Sequence, residues 1–236
     1  MIPRIINYCW FGGNSIPDKM RETIEVWHKH MPEYEIRQWD ERNFDVNAMI
    51  YTRQAYYAKR YAFVSDVARL YALKTVGGIY FDTDIVLKRA IPNTWLNYNA
   101  FTSFEHDQYI QTGVIASEPG HPIIEEFYNS YENRHFINRM TYDLTTNVHW
   151  MTQIMKKHGF VMDNQFQVRD GFAVFPQVTL SAKDWIKGRY DTEDTIALHD
   201  FAGTWGKDAL NNKCIFYANM FFTAIKWQLF GKYRRF

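Results

Sequence analysis

The stretch Ala62–Leu87, AFVSDVARLYALKTVGGIYFDTDIVL, decides how this chain is read. Phe63, Val64, Val67, Leu70 and Tyr71 recur at helical spacing and form one apolar stripe. Ser65, Asp66 and Arg69 fall beside or opposite that stripe. Asp66 and Arg69 are three apart, which makes them neighbours on a helix surface. Gly77-Gly78 ends the helix, because glycine takes the positive φ of a C-cap at no steric cost. Ile79-Tyr80-Phe81 is short, apolar and aromatic, which predicts a strand buried on both faces. Asp82-Thr83-Asp84 follows at once, and Ile85-Val86-Leu87 resumes the apolar run.

Two carboxylates one residue apart, at the C-terminal end of an inner strand, sit where α/β sheets bind ligands. Without a cation they repel each other and are costly to desolvate. A divalent ion removes both costs. Oxygen ligands suit Mg²⁺ or Mn²⁺, either of which can bridge to a diphosphate. An isolated Asp-x-Asp is also an ordinary acidic turn. The Asp/Arg pair one helix earlier, the double-glycine turn and the apolar strand separate this one from that reading. Asp66, Arg69, Asp82 and Asp84 are therefore the expected catalytic residues, with Asp82 and Asp84 as metal ligands.

The bulk properties narrow the class. A chain of 236 residues suffices for one sizeable α/β domain. With 47% hydrophobic and 22% charged residues it is globular rather than disordered. A formal net charge of +1 gives no reason to expect nucleic acid as a partner. Cys9 and Cys214, far apart and in apolar surroundings, read as buried thiols rather than a disulfide or a metal pair, which suits a reducing cytosol. The N-terminal MIPRIINYCWFGG lacks the parts of a signal peptide. No apolar stretch reaches the roughly 20 residues of a membrane-spanning helix. The expected location is cytoplasmic.

Before the deciding stretch, residues 4–10 read as a first strand, 17–30 as an amphipathic helix, 34–39 as a second strand and 46–60 as helical. Strand, helix, strand, helix and then the Asp-x-Asp strand is the order of a nucleotide-binding half-sheet. The loop after the first strand faces the ligand crevice in such sheets, so Trp10 reads either as core packing or as a face for the nucleotide base. After it, residues 100–104, 111–116 and 172–176 read as strands, 181–195 as a polar loop, and His121 as a helix-start residue. Asp143 and His149 are alternatives for a general base. Ile196–His199 is a short strand whose terminal imidazole reads either as a core group or as a ligand. The segment 213–236 reads as a last helix packed on a domain formed by residues 1–212. Its other reading is a membrane-surface helix that turns Lys226, Lys232, Arg234 and Arg235 toward anionic headgroups.

Three separated motifs carry a family resemblance. SDVARLYALKTVGGIYFDTDIVL resembles the signature of glycosyltransferase family 32, the DXD-containing sugar transferases of capsular polysaccharide synthesis. These are related to initiating mannosyltransferases and to the catalytic core of glucosylating toxins. IPRIINYCWFGG resembles the family's opening strand and loop, and ALHDFAGTW its closing motif. The resemblance implies a GT-A type fold, with a mostly parallel central sheet flanked by helices. It implies retaining transfer of a hexose or N-acetylhexosamine from a nucleotide sugar, UDP favoured over GDP, to a saccharide acceptor. That acceptor is lipid-linked if the enzyme works at the inner face of the membrane. His199 becomes the third metal ligand, and imidazole suits Mn²⁺ better than Mg²⁺. The implied donor-binding residues are Trp10, Ser65, Asp66, Arg69, Asp82, Thr83, Gln111, Thr204 and Trp205. Gln111 stands where the family has Asn, Thr204 where it has Ser, and Asn7 where it has His. The competing classes are a toxin-like protein glycosyltransferase and a non-catalytic nucleotide-sugar-binding module.

Overall fold

The structure is a computed structural model that describes residues 1–106, 108–184, 188–189, 191–200, 213–231 and 236. Its first half runs β1 (Ile5–Cys9), α1 (Asp18–His30), β2 (Glu35–Trp39), α2 (Ile50–Tyr57), α3 (Tyr61–Val76), β3 (Gly78–Phe81) and β4 (Ile85–Leu87). Then come β5 (Ala100–Glu105), β6 (Tyr109–Ile110), β7 (Val114–Ser117) and α4 (Pro122–Asn129). A small hairpin of β8 (Ile137–Asn138) and β9 (Thr141–Tyr142) leads into α5 (Asn147–Lys157), β10 (Gln167–Arg169), β11 (Phe172–Phe175) and α6 (Gln177–Leu180). The described part closes with β12 (Lys183–Asp184), β13 (Gly188–Arg189), β14 (Ala197–His199) and α7 (Lys213–Phe230).

The main sheet has the order β10-β11-β5-β7-β3-β1-β2, with β6 added beside β5. β2, β1 and β3 pair in parallel, β7 is antiparallel to both its neighbours, and β5 and β11 are again parallel. The α/β expectation holds: most strands of the central sheet run the same way and helices flank it. Each face of the sheet carries its own apolar layer. Ile6, Ile79, Phe81, Phe101, Val114 and Ala173 pack on one side with Trp27 of α1. Tyr80, Phe104, Ile115, Phe172 and Val174 pack on the other with α3, α4 and α5. Period-two alternation along each strand makes this division.

Two details of α3 and its turn position the site. Arg69, expected beside or opposite the apolar stripe, is instead buried at 5% exposure among Val67, Ala68 and Leu70. The helix packs on the sheet between α2 and α4, and Tyr80, Asp82 and the Thr112 carbonyl close over the Arg69 side chain. After it, Gly77 (φ +65°) and Gly78 (φ +98°) turn the chain into β3. A Cβ on Gly78 would stand 2.4 Å from the Ile5 carbonyl oxygen, so only glycine lets β3 approach β1 here.

The remaining expectations meet simple outcomes. His121 caps α4, its Nδ1 accepting from the Ile123 amide at 3.2 Å. Cys9 is a free buried thiol, while the Cys214 side chain lies outside the described residues. On α7, Met220, Ala224 and Trp227 join the larger apolar core, whereas Tyr217, Phe221, Phe222, Leu229 and Phe230 are exposed. Lys232, Arg234 and Arg235 lie outside the described residues. Among those described, no helix is long and apolar enough to cross a membrane.

Candidate active site

Asp82 leaves β3 two residues after Tyr80, so both side chains turn toward α3. The Tyr80 hydroxyl donates to Asp82 Oδ1 at 2.8 Å. Arg69 lies beneath, its guanidinium carbon 4.7 Å from the Tyr80 ring centre. Its Nη2 pairs with Asp66 at 2.9 Å and Asp82 at 3.2 Å, and its Nη1 donates to the Thr112 carbonyl at 2.7 Å. A buried guanidinium held by two carboxylates and a carbonyl is fully engaged, which is the condition for burying it at all. Burial pushes the Asp66 carboxyl up to about 6, against the opposing charge of Arg69 and a hydrogen bond from Asn147.

The second half of the motif meets the C-terminal part of the chain. The Ile85 amide donates to the Asp82 carbonyl at 3.0 Å and closes the turn, and the Trp27 indole of α1 donates to the Ile85 carbonyl at 2.7 Å. β14 pairs antiparallel with β4 in the register His199↔Ile85. That register sets the imidazole beside Asp84, with His199 Nε2 3.3 Å from Asp84 Oδ1. Burial lowers the His199 pKa, but the Asp84 hydrogen bond and the charges of Asp84, Asp82 and Glu105 outweigh it, so the net shift is upward. Asp200 fastens the strand: its amide donates to the Asp84 carbonyl at 2.9 Å, and its carboxylate meets Lys19 and Lys183 at 2.6 Å each.

One ligand atom from each of Asp82, Asp84 and His199 lies within 4.8 Å of the others. Two carboxylates and an imidazole suit a divalent cation of the Mn²⁺ or Mg²⁺ kind, and the set could hold one. Gly113 keeps the approach open. A Cβ there would stand 3.0 Å from His199 Cε1 and 3.1 Å from Asp82 Oδ2.

These groups open into a cavity of about 780 Å³, a size suited to a nucleotide-sugar ligand. Trp10, Ser65, Asp66, Arg69, Asp82, Thr83, Asp84 and His199 all line it, so most of the expected site residues are gathered there. The Trp10 indole donates to the Asn14 carbonyl at 2.8 Å, which fixes the ring at the wall. Gln111 does not line the cavity. It is fully buried and its amide donates to Ser103 Oγ at 2.6 Å. Asn7 is likewise interior, bonded to the Gly77 carbonyl and the Trp39 indole. His149 lines the cavity and Asp143 does not; Asp143 accepts from the Thr145 amide at 3.0 Å. Thr204 and Trp205 lie outside the described residues.

Among the cavity groups that the sequence reading did not assign to the site are Tyr80, Glu105, Gly113 and Asn147. Tyr80 was legible, since a residue two before Asp82 on a strand shares its face. The other three are brought in by pairings and helix packing that no local spacing records.

Comparison with known proteins bears on this site. Residues 17–102 match the family described as "Glycosyltransferase sugar-binding region containing DXD motif", a span holding Asp66, Arg69, Asp82 and Asp84 but not His199. An uncharacterized glycosyltransferase, L373, of Acanthamoeba polyphaga mimivirus is 31% identical over 144 residues. The match covers 55% of each protein, so the chain spans about half the length of that curated relative. Among solved structures, the PaToxG glycosyltransferase is similar at 19% identity, with 66% of this chain and 68% of that one covered and a TM-score of 0.49. A glycosyltransferase involved in the glycosylation of the major capsid of PBCV-1 is similar at 14% identity, with 87% and 96% covered and a TM-score of 0.47.

Proposed function

We propose that this chain is a metal-dependent glycosyltransferase of the GT-A type, resembling family 32 in its motifs. It would move a hexose or N-acetylhexosamine from a nucleoside-diphosphate sugar, UDP favoured over GDP, to a saccharide hydroxyl with retained anomeric configuration. One observation carries the reading: Asp82, Asp84 and His199, from two distant parts of the chain, converge within 4.8 Å at the floor of a cleft. The match of residues 17–102 to a DXD-containing sugar-binding region supports it.

Asp82, Asp84 and His199 would hold the cation, Mn²⁺ before Mg²⁺ because of the imidazole. When bound, it supplies Lewis-acid neutralisation of a diphosphate leaving group. The chain's own residues do the rest. Arg69 holds Asp66 and Asp82 in fixed positions, so no reorganisation is needed during reaction. The Asp66 edge meets sugar hydroxyls, Trp10 offers a flat face to the base, and Ser65 and Thr83 add hydroxyls to the wall. With retention, the acceptor proton passes to an oxygen of the departing phosphate, and no protein base need touch the acceptor.

The deciding experiment is a panel of UDP- and GDP-hexoses and N-acetylhexosamines with Mn²⁺, read as nucleoside diphosphate released. Mn²⁺-dependent release with one donor is the expected result. Binding without turnover of every donor, with or without saccharide acceptors, would leave a binding module instead. Glycosylation of added protein rather than saccharide would favour the toxin-like alternative.

A role in surface polysaccharide synthesis on a lipid-linked acceptor is supported by α7, whose aromatic face is exposed while its other face is packed in the core. Since Trp227 and Ala224 are core residues, a truncation would damage the fold. Phe221→Ser with Phe222→Ser leaves the buried face intact. Flotation of that variant with anionic liposomes should fall well below that of the unaltered chain, and equal flotation would end the membrane reading.

A further inference from the structure

Among the described residues, Tyr109 is the one exposed large hydrophobic side chain that lines the cavity, at 45% exposure. Its place follows from the local chain. After β5 the chain folds back, and β6 pairs with the end of β5 in the register Phe104↔Ile110 and Glu105↔Tyr109. Alternation along β6 sends Ile110 into the core, where it is fully buried, and leaves Tyr109 on the cavity side. The Ile110 amide donates to Thr152 Oγ1 of α5 at 2.9 Å, which fixes the backbone that carries the ring. The ring itself is not held: among the described residues the Tyr109 side chain has no hydrogen bond and no ring contact. Sheet order sets it at the other end of the cavity from Trp10. β1, β3 and β5 run the same way, with β7 between β3 and β5, so their C-terminal ends share one edge. Trp10 follows β1, Asp82 follows β3 and the Tyr109 turn follows β5. At the usual strand spacing the end of β1 lies about 5 Å to one side of the end of β3, and the end of β5 about 10 Å to the other. A second path leads the same way from Asp66. Asn147 at the start of α5 donates to the Asp66 carbonyl at 3.1 Å, Val148 and His149 after it line the cavity, and α5 packs on β6.

We infer that Tyr109 is the platform of the acceptor subsite, and that its ring face takes the C–H face of a hexopyranose that receives the transferred sugar. The inference rests on the glycosyltransferase reading above and adds to it a residue and a class of acceptor. With the base on Trp10 and the diphosphate on the cation, the transferred sugar lies past the cation along Asp66. The acceptor lies beyond that sugar. The wall in that direction is the first turn of α5 and the β6 turn, and Tyr109 is its flat apolar group. An aromatic face left wet inside a concave site is surface that a ligand can dry. A pyranose ring matches it, with C–H groups on one face and hydroxyls around its rim. Tyr109 binds and orients this ring and takes no part in bond making.

The test offers methyl α- and β-glycosides of glucose, galactose, mannose and N-acetylglucosamine as acceptors, with Mn²⁺ and the nucleotide sugar that the unaltered chain hydrolyses fastest. Tyr109→Ala should raise KM for the best acceptor glycoside about tenfold, while KM for the donor moves by less than about threefold. Tyr109→Phe, which keeps the ring face, should stay within about threefold of the unaltered chain in both. Tyr109→Leu, which keeps bulk without a flat face, serves if the Ala variant folds poorly. The melting shift produced by UDP with Mn²⁺ should persist in every variant, because UDP carries no sugar and reaches no acceptor. An acceptor KM left within about threefold by Tyr109→Ala would refute the platform. So would an equal rise in donor KM or loss of the UDP–Mn²⁺ shift, since either would assign the ring to the donor or to the fold. Donor hydrolysis without transfer to any of the glycosides would also overturn the inference, because the acceptor would then not be a hexopyranose. If the unaltered chain releases no diphosphate from any donor, the parent reading fails and takes the inference with it.

Discussion

At Asp66, burial acts against ionisation. The carboxyl sits 15% exposed beside Arg69, and its pKa rises from 3.8 to about 6. A carboxyl with a higher pKa in the fold than in the open chain binds its proton more tightly when folded. Metal-free protein should therefore lose stability as pH rises from about 4 through 6, by about 3 kcal/mol from this group. Asp66→Asn should flatten that part of a urea-denaturation pH profile; an unchanged slope would assign it to other groups. Asp84 belongs to the reaction rather than to the fold. Asp84→Ala should cut donor turnover by about 100- to 1000-fold, on the scale of a lost charge-stabilising group, while the metal-free melting temperature stays near that of the unaltered chain. Near-full turnover in folded protein would remove Asp84 from the site.

At the level of elements, the helix–turn–strand unit of α3 and β3 depends on its two glycines. A methyl at Gly78 meets the Ile5 carbonyl, a main-chain atom fixed by the pairing of β1 with β2 and β3, at a backbone angle that side chains rarely adopt. Gly78→Ala should cost on the order of 3 kcal/mol in urea denaturation. A loss below about 1 kcal/mol would mean that β3 can slide away from β1. The same unit explains Asn7. Its side chain bonds the Gly77 carbonyl and the Trp39 indole, tying the glycine turn to β2. Asn7 thus serves the scaffold rather than the cavity. The β4–β14 pair does the opposite work, since its register is what delivers His199 to Asp84.

For the whole molecule, the cation site joins the β3–β4 turn to β14, 115 positions further along the chain, so filling it should stabilise the fold as a unit. Mn²⁺ at about 100 times its Kd contributes about 2.7 kcal/mol, which is a rise in Tm of roughly 5–10 °C for a chain of this size. Calorimetry with Mn²⁺ and then with excess chelator checks it. The shift should vanish on chelation and be absent in Asp84→Ala; a shift that survives Asp84→Ala would locate the ion elsewhere.

What the chain's order of residues determined by itself was local. A helix, a glycine turn, a buried strand and a paired carboxylate are set by neighbours within a few positions, through periodicity and sterics, and Ala62–Leu87 shows all of them. The depth of Arg69 was not legible, because Tyr80, Asp82 and the Thr112 carbonyl, which cover it, come from other parts of the chain. Gln111 pointed inward for a similar reason: Ser103 on the adjoining strand claimed its amide. Residue spacing alone could not bring His199 to Asp84, since 115 positions separate them, and only the motif resemblance suggested it. The tertiary structure decided these matters, since strand register and layer packing determine which distant groups share a site, and both are properties of the assembled sheet.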